Sequence, residues 1–254
     1  MSFQFSQDQL DAVNGICNQL LDPNTKSHVL TVLTGSAGTG KTTVVGEIIN
    51  RINQHSPSTS VELCATTHRA ATVLQDITKK SVITGYALFK LRPAITKYGK
   101  ETITGAGICD INPESVVIID ESSMIGNQFL TAIVDIVKHK SLKLLFVGDP
   151  FQLPPPTDIC SIFDGSLPTF TLTQVHRQLG GNPVLEKANE FREYIEGIRD
   201  VEPALETNIN SKGEGIHVLP HSDFVTKFVQ KYMDYSTGAE VDSPLCTYTN
   251  ESAI

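Results

Sequence analysis

The chain reads as an α/β protein built on a parallel sheet flanked by helices, and three features predict this. Short apolar runs rich in Val, Ile and Leu recur at residues 28–33, 61–65, 116–119 and 142–147, with a weaker run at 169–172. Continuous apolar runs of this length mark strands buried on both faces, the habit of parallel strands. Helical patterns fill the intervals, as in an alternating α/β chain. The 254 residues, 40% apolar and 19% charged, suit one large domain or two small ones. A chain of that size holds its core without disulfides or metals.

The elements follow in order. The opening MSFQFSQDQL lacks a basic stretch followed by an apolar one, so no secretory signal is expected. Ser6 begins an SxxQ capping box with Gln9, and Phe5 and Leu10 form the matching hydrophobic staple of a first helix. Residues 90–115 (KLRPAITKYGKETITGAGICDINPES) interrupt the alternation with a Thr, Gly and Pro-rich stretch holding two short β-like pieces. This predicts an inserted hairpin subdomain between the second and third buried strands, dividing the main domain into 1–89 and 116–204. Asn182-Pro183 is a cap followed by proline in the first turn, and Leu185, Ala188, Phe191 and Ile195 repeat behind it at helical spacing. Residues 205–215 read as a linker, 216–219 as a strand and 223–233 as a helix. The final LCTYTNESAI reads as a strand entering a polar turn, so the chain is expected to stop at the start of a second domain.

Composition excludes several classes. The five cysteines, at 17, 64, 109, 160 and 246, are odd in number and widely spaced, which argues against a disulfide framework and a CxxC site. A reducing cytoplasm is the expected location, that of the host if the source is viral. No apolar run is long enough to span a membrane. The net charge of −8 argues against coating nucleic acid by bulk charge. The charge is nevertheless segregated. Lys79, Lys80, Lys90, Arg92, Lys97 and Lys100 have no acid between them, whereas residues 186–206 hold seven acids against three bases.

Five motifs bear on chemistry. GSAGTGKT (Gly35, Ser36, Ala37, Gly38, Thr39, Gly40, Lys41, Thr42) matches GxxxxGK[ST] between a buried strand and a helix, the context that motif requires. Its glycines let backbone wrap close to phosphate, and amides at a helix N-terminus hold negative charge. Lys41 can reach the β- and γ-phosphates and Thr42 can place its hydroxyl on Mg²⁺, with Thr43 beside it in the same cradle. In VVIIDESSM a buried strand ends in Asp120-Glu121, at the edge where an α/β sheet places ligands. Asp120 suits a carboxylate behind Mg²⁺ and Glu121 a general base that orients water. In LLFVGDPFQLPPP, Gln152 follows Gly148-Asp149 in a proline-stiffened loop and can hydrogen-bond a γ-phosphate. In TLTQVHRQ, Arg177 can stabilise transition-state charge. In CATTHRAA, Thr66 and Thr67 would cap the next helix, and with His68 and Arg69 they also suit a nucleic-acid phosphate.

The order of these motifs, with Gln9 upstream, resembles the first motor domain of superfamily 1 helicases. The likeness is strongest to the RecD-like branch and, within it, to phage Dda-type helicases that move 5′ to 3′ on single-stranded DNA. It extends from Phe5 to Asn250. The resemblance implies a RecA-like P-loop NTPase domain that uses ATP and Mg²⁺, with Gln9 reading adenine and Thr66, Thr67, His68 and Arg69 along the DNA track. It implies that the 90–115 insert is a wedge at a forked duplex, with Tyr98 either stacking on DNA or packing the hairpin. Thr249 and Asn250 would be the first DNA contact of a second RecA-like domain in cis, and replication or recombination proteins would be partners. Two departures stand out. Gly85 occupies the position at which these helicases often carry the histidine of Thr-Ile-His, and no motif of the second domain follows residue 178.

The function expected is that of an ATP-hydrolysing DNA helicase motor domain, weak when alone. Two other readings stay open. One is a different P-loop ATPase. The other is a hydrolysis-deficient fragment that binds nucleotide or DNA.

Overall fold

A computed structural model describes residues 5–22, 24, 27–95, 101–155, 158–175, 182–211, 213 and 215–219. The chain divides into two compact units, 1–178 and 179–254.

The first unit opens with helix α1 (Gln7–Leu21), whose capping box forms, with the Ser6 N–H donating to Gln9 Oε1 at 3.1 Å. Strand β1 (Val29–Gly35) leads through the glycine-rich loop into α2 (Lys41–His55). Strand β2 (Val61–Ala65), helix α3 (His68–Thr78), the short strand β3 (Val82–Thr84) and the single turn α4 (Gly85–Leu88) follow. Strands β4 (Leu91–Ile95) and β5 (Glu101–Gly105) then pair antiparallel, Leu91 opposite Gly105 and Ile95 opposite Glu101. The inserted hairpin predicted within 90–115 is therefore present. The main sheet resumes with β6 (Val116–Asp120), a 3₁₀ turn at Ser122–Met124, α5 (Asn127–His139), β7 (Lys143–Gly148) and β8 (Thr169–Leu172).

Among the described residues, six strands form one sheet in the order β3-β2-β6-β7-β1-β8, every pair parallel. Side chains alternate between its faces. On β6, Val116 and Ile118 enter the core shared with α1, α2 and α3, while Val117 and Ile119 enter the core beneath α5 and the insert. All four are 0% exposed, which is why the segment carries no polar alternation. The five strands expected from apolar runs are all present. The sixth, β3, was missed because three residues at a sheet edge leave no run to detect.

In the second unit, α6 (Pro183–Ile195) starts as expected: Asn182 Oδ1 accepts the Val184 and Leu185 amides at 3.0 and 3.4 Å, with Pro183 in the first turn. Leu185 and Phe191 are half-buried, whereas Ala188 and Ile195 are exposed. The 205–215 stretch, read as a linker, contains β9 (Asn208–Ile209), paired antiparallel with β10 (Gly215–Ile216). Two-residue strands are too short to show periodicity. The helix expected at 223–233 lies outside the described residues.

Candidate nucleotide site

Parallel strands place all their carboxyl ends on one edge, and here β1, β6 and β7 end side by side. The loop after β1 needs its glycines. Gly38 and Gly40 have φ of 86° and 85°, the left-handed region that side chains disfavour. At Gly40 a Cβ would also come 2.5 Å from Gln9 Nε2. Alternation of this kind folds the backbone into a concave, anion-binding arc at the start of α2. Thr39 is buried and donates its hydroxyl to the Ser36 carbonyl at 2.9 Å. Lys41 Nζ folds back on the same loop, donating to the carbonyls of Gly35 at 2.8 Å and Ser36 at 3.1 Å. Its ammonium is thus placed at the mouth of the arc, with Thr42 and Thr43 half-buried in the first turn of α2.

Gln9 lies beneath this loop, fully buried. Its Nε2 donates to the Thr39 carbonyl at 2.9 Å while its Oε1 accepts the Ser6 amide. Beside it, Asp8 reaches the exit of β8. It accepts the Thr173 amide at 2.9 Å, the Gln174 amide at 3.1 Å, the Gln9 amide at 2.9 Å and the Ser6 hydroxyl. Partial burial pushes the Asp8 carboxyl up, but these hydrogen bonds, led by Ser6, outweigh it and hold its pKa at about 2. The first turn of α1 therefore fastens the phosphate loop to the segment after β8. Sequence reasoning missed Asp8. Its only local signal was an acid at a helix start, and its partners lie 165 residues away.

The carboxyl end of β6 supplies the acids. Burial raises the Asp120 carboxyl above its usual range, against the Glu121 amide, which donates to Asp120 Oδ1 at 2.9 Å, and the nearby Lys41 charge. Glu121 is raised by burial, then by the Asp120 charge, with Lys41 lowering it and Asp149 raising it. The Lys41 charge thus acts on both acids. Glu121 has φ 53° and ψ 41°, left-handed for a residue with a side chain, a conformation that costs about 1–3 kcal/mol and persists only where its surroundings impose it. The 3₁₀ turn closes behind it, the Met124 amide donating to the Glu121 carbonyl at 3.3 Å. The Thr66 hydroxyl donates to that same carbonyl at 3.3 Å. Close packing with β7 requires Gly148, where a Cβ would meet Phe163 at 2.8 Å and the Ser122 and Ser123 amides at 3.2 Å. Gln152 is exposed, its amide on the Asp149 carbonyl at 3.1 Å and its Oε1 3.5 Å from the Ser123 hydroxyl.

The structure therefore brings together Gln9, the 35–43 loop, Asp120, Glu121 and Gln152. Thr67 caps α3, its hydroxyl accepting the Ala70 amide at 3.2 Å, and His68 and Arg69 are exposed on that helix's first turn. Gly85 is buried against Phe129, whose Cζ would lie 3.2 Å from an added Cβ. A side chain there would need Phe129 to give way by a few tenths of an ångström. Arg177, Tyr98, Thr249 and Asn250 lie outside the described residues.

A parallel sheet carrying a phosphate loop after β1 and an acidic pair after β6 defines a P-loop ATPase domain of RecA-like architecture. A family model described as an AAA domain matches residues 4–218, and the chain belongs to that family. Over 164 residues it is 31% identical to an ATP-dependent RecD2 DNA helicase of Deinococcus radiodurans, covering 64% of this chain and 21% of that protein. Over 146 residues it is 30% identical to a RecBCD enzyme subunit RecD of Mycolicibacterium smegmatis, covering 50% of this chain and 26% of that one. The chain spans about a fifth to a quarter of the length of these two curated relatives. The fold is shared with the Pif1 helicase of Candida albicans, with a TM-score of 0.56 and 18% identity over 97% of this chain and 57% of that one. It is shared also with a Bacteroides sp Pif1 in complex with ADP-AlF4, with a TM-score of 0.52 and 19% identity over 89% and 56%. The class is thus a superfamily 1 motor domain of the RecD-like kind, a helicase-like P-loop ATPase.

Proposed function

We propose that this chain is the first motor domain of an ATP- and Mg²⁺-dependent DNA helicase that tracks single-stranded DNA 5′ to 3′. The observation that carries the reading is the convergence of Lys41, on its loop carbonyls, with Asp120 and Glu121, whose carboxyls it lowers against their burial. Two desolvated acids beside the Lys41 ammonium and a glycine arc form a site complementary to a polyphosphate carrying a divalent cation. Among the described residues no group of three or more His, Cys, Asp or Glu side chains is placed to hold a metal. Thr42 and Asp120 would hold Mg²⁺ together with phosphate oxygens and water, and the ion when bound neutralises phosphate charge.

The chain's own residues do the rest. The 35–42 amides bind phosphate, and Lys41 swings from the Gly35 carbonyl to the transferring group. Glu121, with its raised affinity for protons, takes one from the attacking water. Gln152 and Arg177 sense and stabilise charge on the γ-phosphate, and Gln9 sets the loop beneath the nucleotide and reads adenine. Thr66, Thr67, His68 and Arg69 line the path of a single strand, at the carboxyl edge of β2 and the start of α3. The β4–β5 hairpin is the wedge that splits a fork. A motor of this kind pairs such a domain with a second RecA-like domain in cis.

The test is ATP turnover with and without single-stranded DNA. Glu121→Gln is expected to lower kcat roughly 10²–10⁴-fold with nucleotide binding retained, and Lys41→Ala to abolish nucleotide binding. Full turnover in Glu121→Gln, or unaltered binding in Lys41→Ala, would overturn the assignment.

A further inference from the structure

The register of β2 on β6 places Ala65 opposite Asp120. The next residue of each strand is the first to leave the sheet, so Thr66 and Glu121 emerge side by side. One is at the start of the proposed DNA segment and the other is the proposed base. The Thr66 hydroxyl has a single proton to donate, and it donates it to the Glu121 carbonyl at 3.3 Å. That carbonyl belongs to a residue held left-handed at φ 53°. Two other contacts support the conformation: the Glu121 amide on Asp120 Oδ1 and the Met124 amide on the Glu121 carbonyl. Both come from within the same short segment, 120–124. Thr66, just past β2, reaches the Glu121 carbonyl from outside that segment, as the Cys160 thiol reaches the Ser122 carbonyl at 3.6 Å one residue on. Beneath this turn lies a cavity of about 80 Å³ lined by Ala65, Thr66, Gly85, Met124, Ile125 and Phe129. The turn therefore has room to move.

We propose that Thr66 is a positioning residue that couples single-stranded DNA to the hydrolytic base. A DNA phosphate at the start of α3 accepts the Thr66 hydroxyl's hydrogen bond in place of the Glu121 carbonyl, that carbonyl loses its inter-strand tie, and the 121–125 turn shifts into the cavity and re-aims the Glu121 carboxylate. A left-handed non-glycine residue is a natural two-state element, because it returns to the commoner backbone regions once the contacts that impose it are removed. This inference rests on the reading of the chain as a DNA-stimulated ATPase and names the residue through which the stimulation acts.

The experiment compares the full 254-residue chain with Thr66→Val, which lacks the hydroxyl proton at nearly the same volume, and Thr66→Ser, which restores it. Oligo-dT binding is measured by fluorescence anisotropy, and kcat and KM for ATP with and without oligo-dT. Amide hydrogen exchange of residues 121–125 is followed in the same samples and requires no turnover. Expected for Thr66→Val is a DNA stimulation of kcat reduced at least about fivefold at saturating oligo-dT, with KM for ATP within about threefold of wild type and Kd for oligo-dT raised by roughly tenfold from the lost phosphate contact. The 121–125 amides should exchange fast in this variant with or without DNA, whereas in the wild type they should accelerate only when oligo-dT is added. Thr66→Ser should behave as wild type. The proposal is overturned if Thr66→Val is stimulated normally, if it loses oligo-dT binding outright, or if exchange at 121–125 ignores both the mutation and the DNA. Failure of the wild type itself to bind oligo-dT would overturn the DNA reading and this inference together, and is distinguished by appearing without any substitution.

Discussion

Replacing Asp8 with alanine removes a carboxylate that three backbone amides and two hydroxyls, those of Ser6 and Thr173, address. Its pKa is drawn from 3.8 to about 2, and at ~1.4 kcal/mol per unit the shift corresponds to at most about 2.4 kcal/mol of stability. The group is partly solvated, and screening trims this to about 1–2 kcal/mol. Because the folded carboxyl binds its proton more weakly than the unfolded one, the contribution is full above the unfolded value and is lost as pH falls through about 2. Roughly half of it remains at pH 3. Urea unfolding of wild type and Asp8→Ala, followed by circular dichroism because the chain has no Trp, should show the variant less stable by about 1–2 kcal/mol at pH 7. The difference should shrink visibly by pH 3. A difference below about 0.5 kcal/mol at pH 7, or one of constant size down to pH 3, would refute the view that Asp8 fastens the Thr173–Gln174 backbone through its charge.

Two further substitutions probe the loop and the core. Gly40→Ala places a methyl at φ 85° and 2.5 Å from Gln9 Nε2. It should weaken binding of a fluorescent ATP analogue at least ~10-fold, and unchanged affinity would show that the left-handed turn is dispensable. Ile118→Ala empties a site of 0% exposure in the middle of β6 and should cost about 2–5 kcal/mol in urea unfolding. Ile95→Ala, at a residue 74% exposed on the hairpin, should change stability by less than about 0.5 kcal/mol. Equal effects of the two would mean that the sheet's burial pattern is misassigned.

What could be read from sequence was whatever is written locally. Strands buried on both faces announce themselves as runs such as Val116 to Ile119, and the phosphate loop is a contiguous pattern whose glycines answer to local backbone geometry. The Ser6–Gln9 capping box and the Asn182-Pro183 helix start were legible for the same reason. Features that arise from strand order were not. The contact of Thr66 with Glu121 exists because β2 happens to lie beside β6, and 55 residues separate the pair. Asp8 looked like an ordinary acid at a helix N-terminus, since nothing near it in the chain shows that Thr173 and Gln174 will arrive. Gln9 was read from resemblance as a base-recognition residue, while its burial under Thr39 shows a second task as a strut for the loop. Gly85 looked like a missing histidine, and the reason became visible only with Phe129 packed against it.

The position of β1 in the sheet also has a consequence for how the chain is made. This strand lies between β7 and β8, which begin at residues 143 and 169. A ribosome adding about 5–20 residues per second exposes β1 on the order of ten seconds before either neighbour exists. During that interval an apolar strand with two open edges waits beside an unanchored glycine loop, the condition in which nascent chains aggregate or recruit chaperones. The pairings that finish the site have large sequence separation and form late. Nucleotide binding should therefore be absent from ribosome-bound chains that end before β7 and gained only after β8 and the Asp8 anchor points at Thr173 and Gln174 have emerged. The piece of the molecule written first becomes usable last.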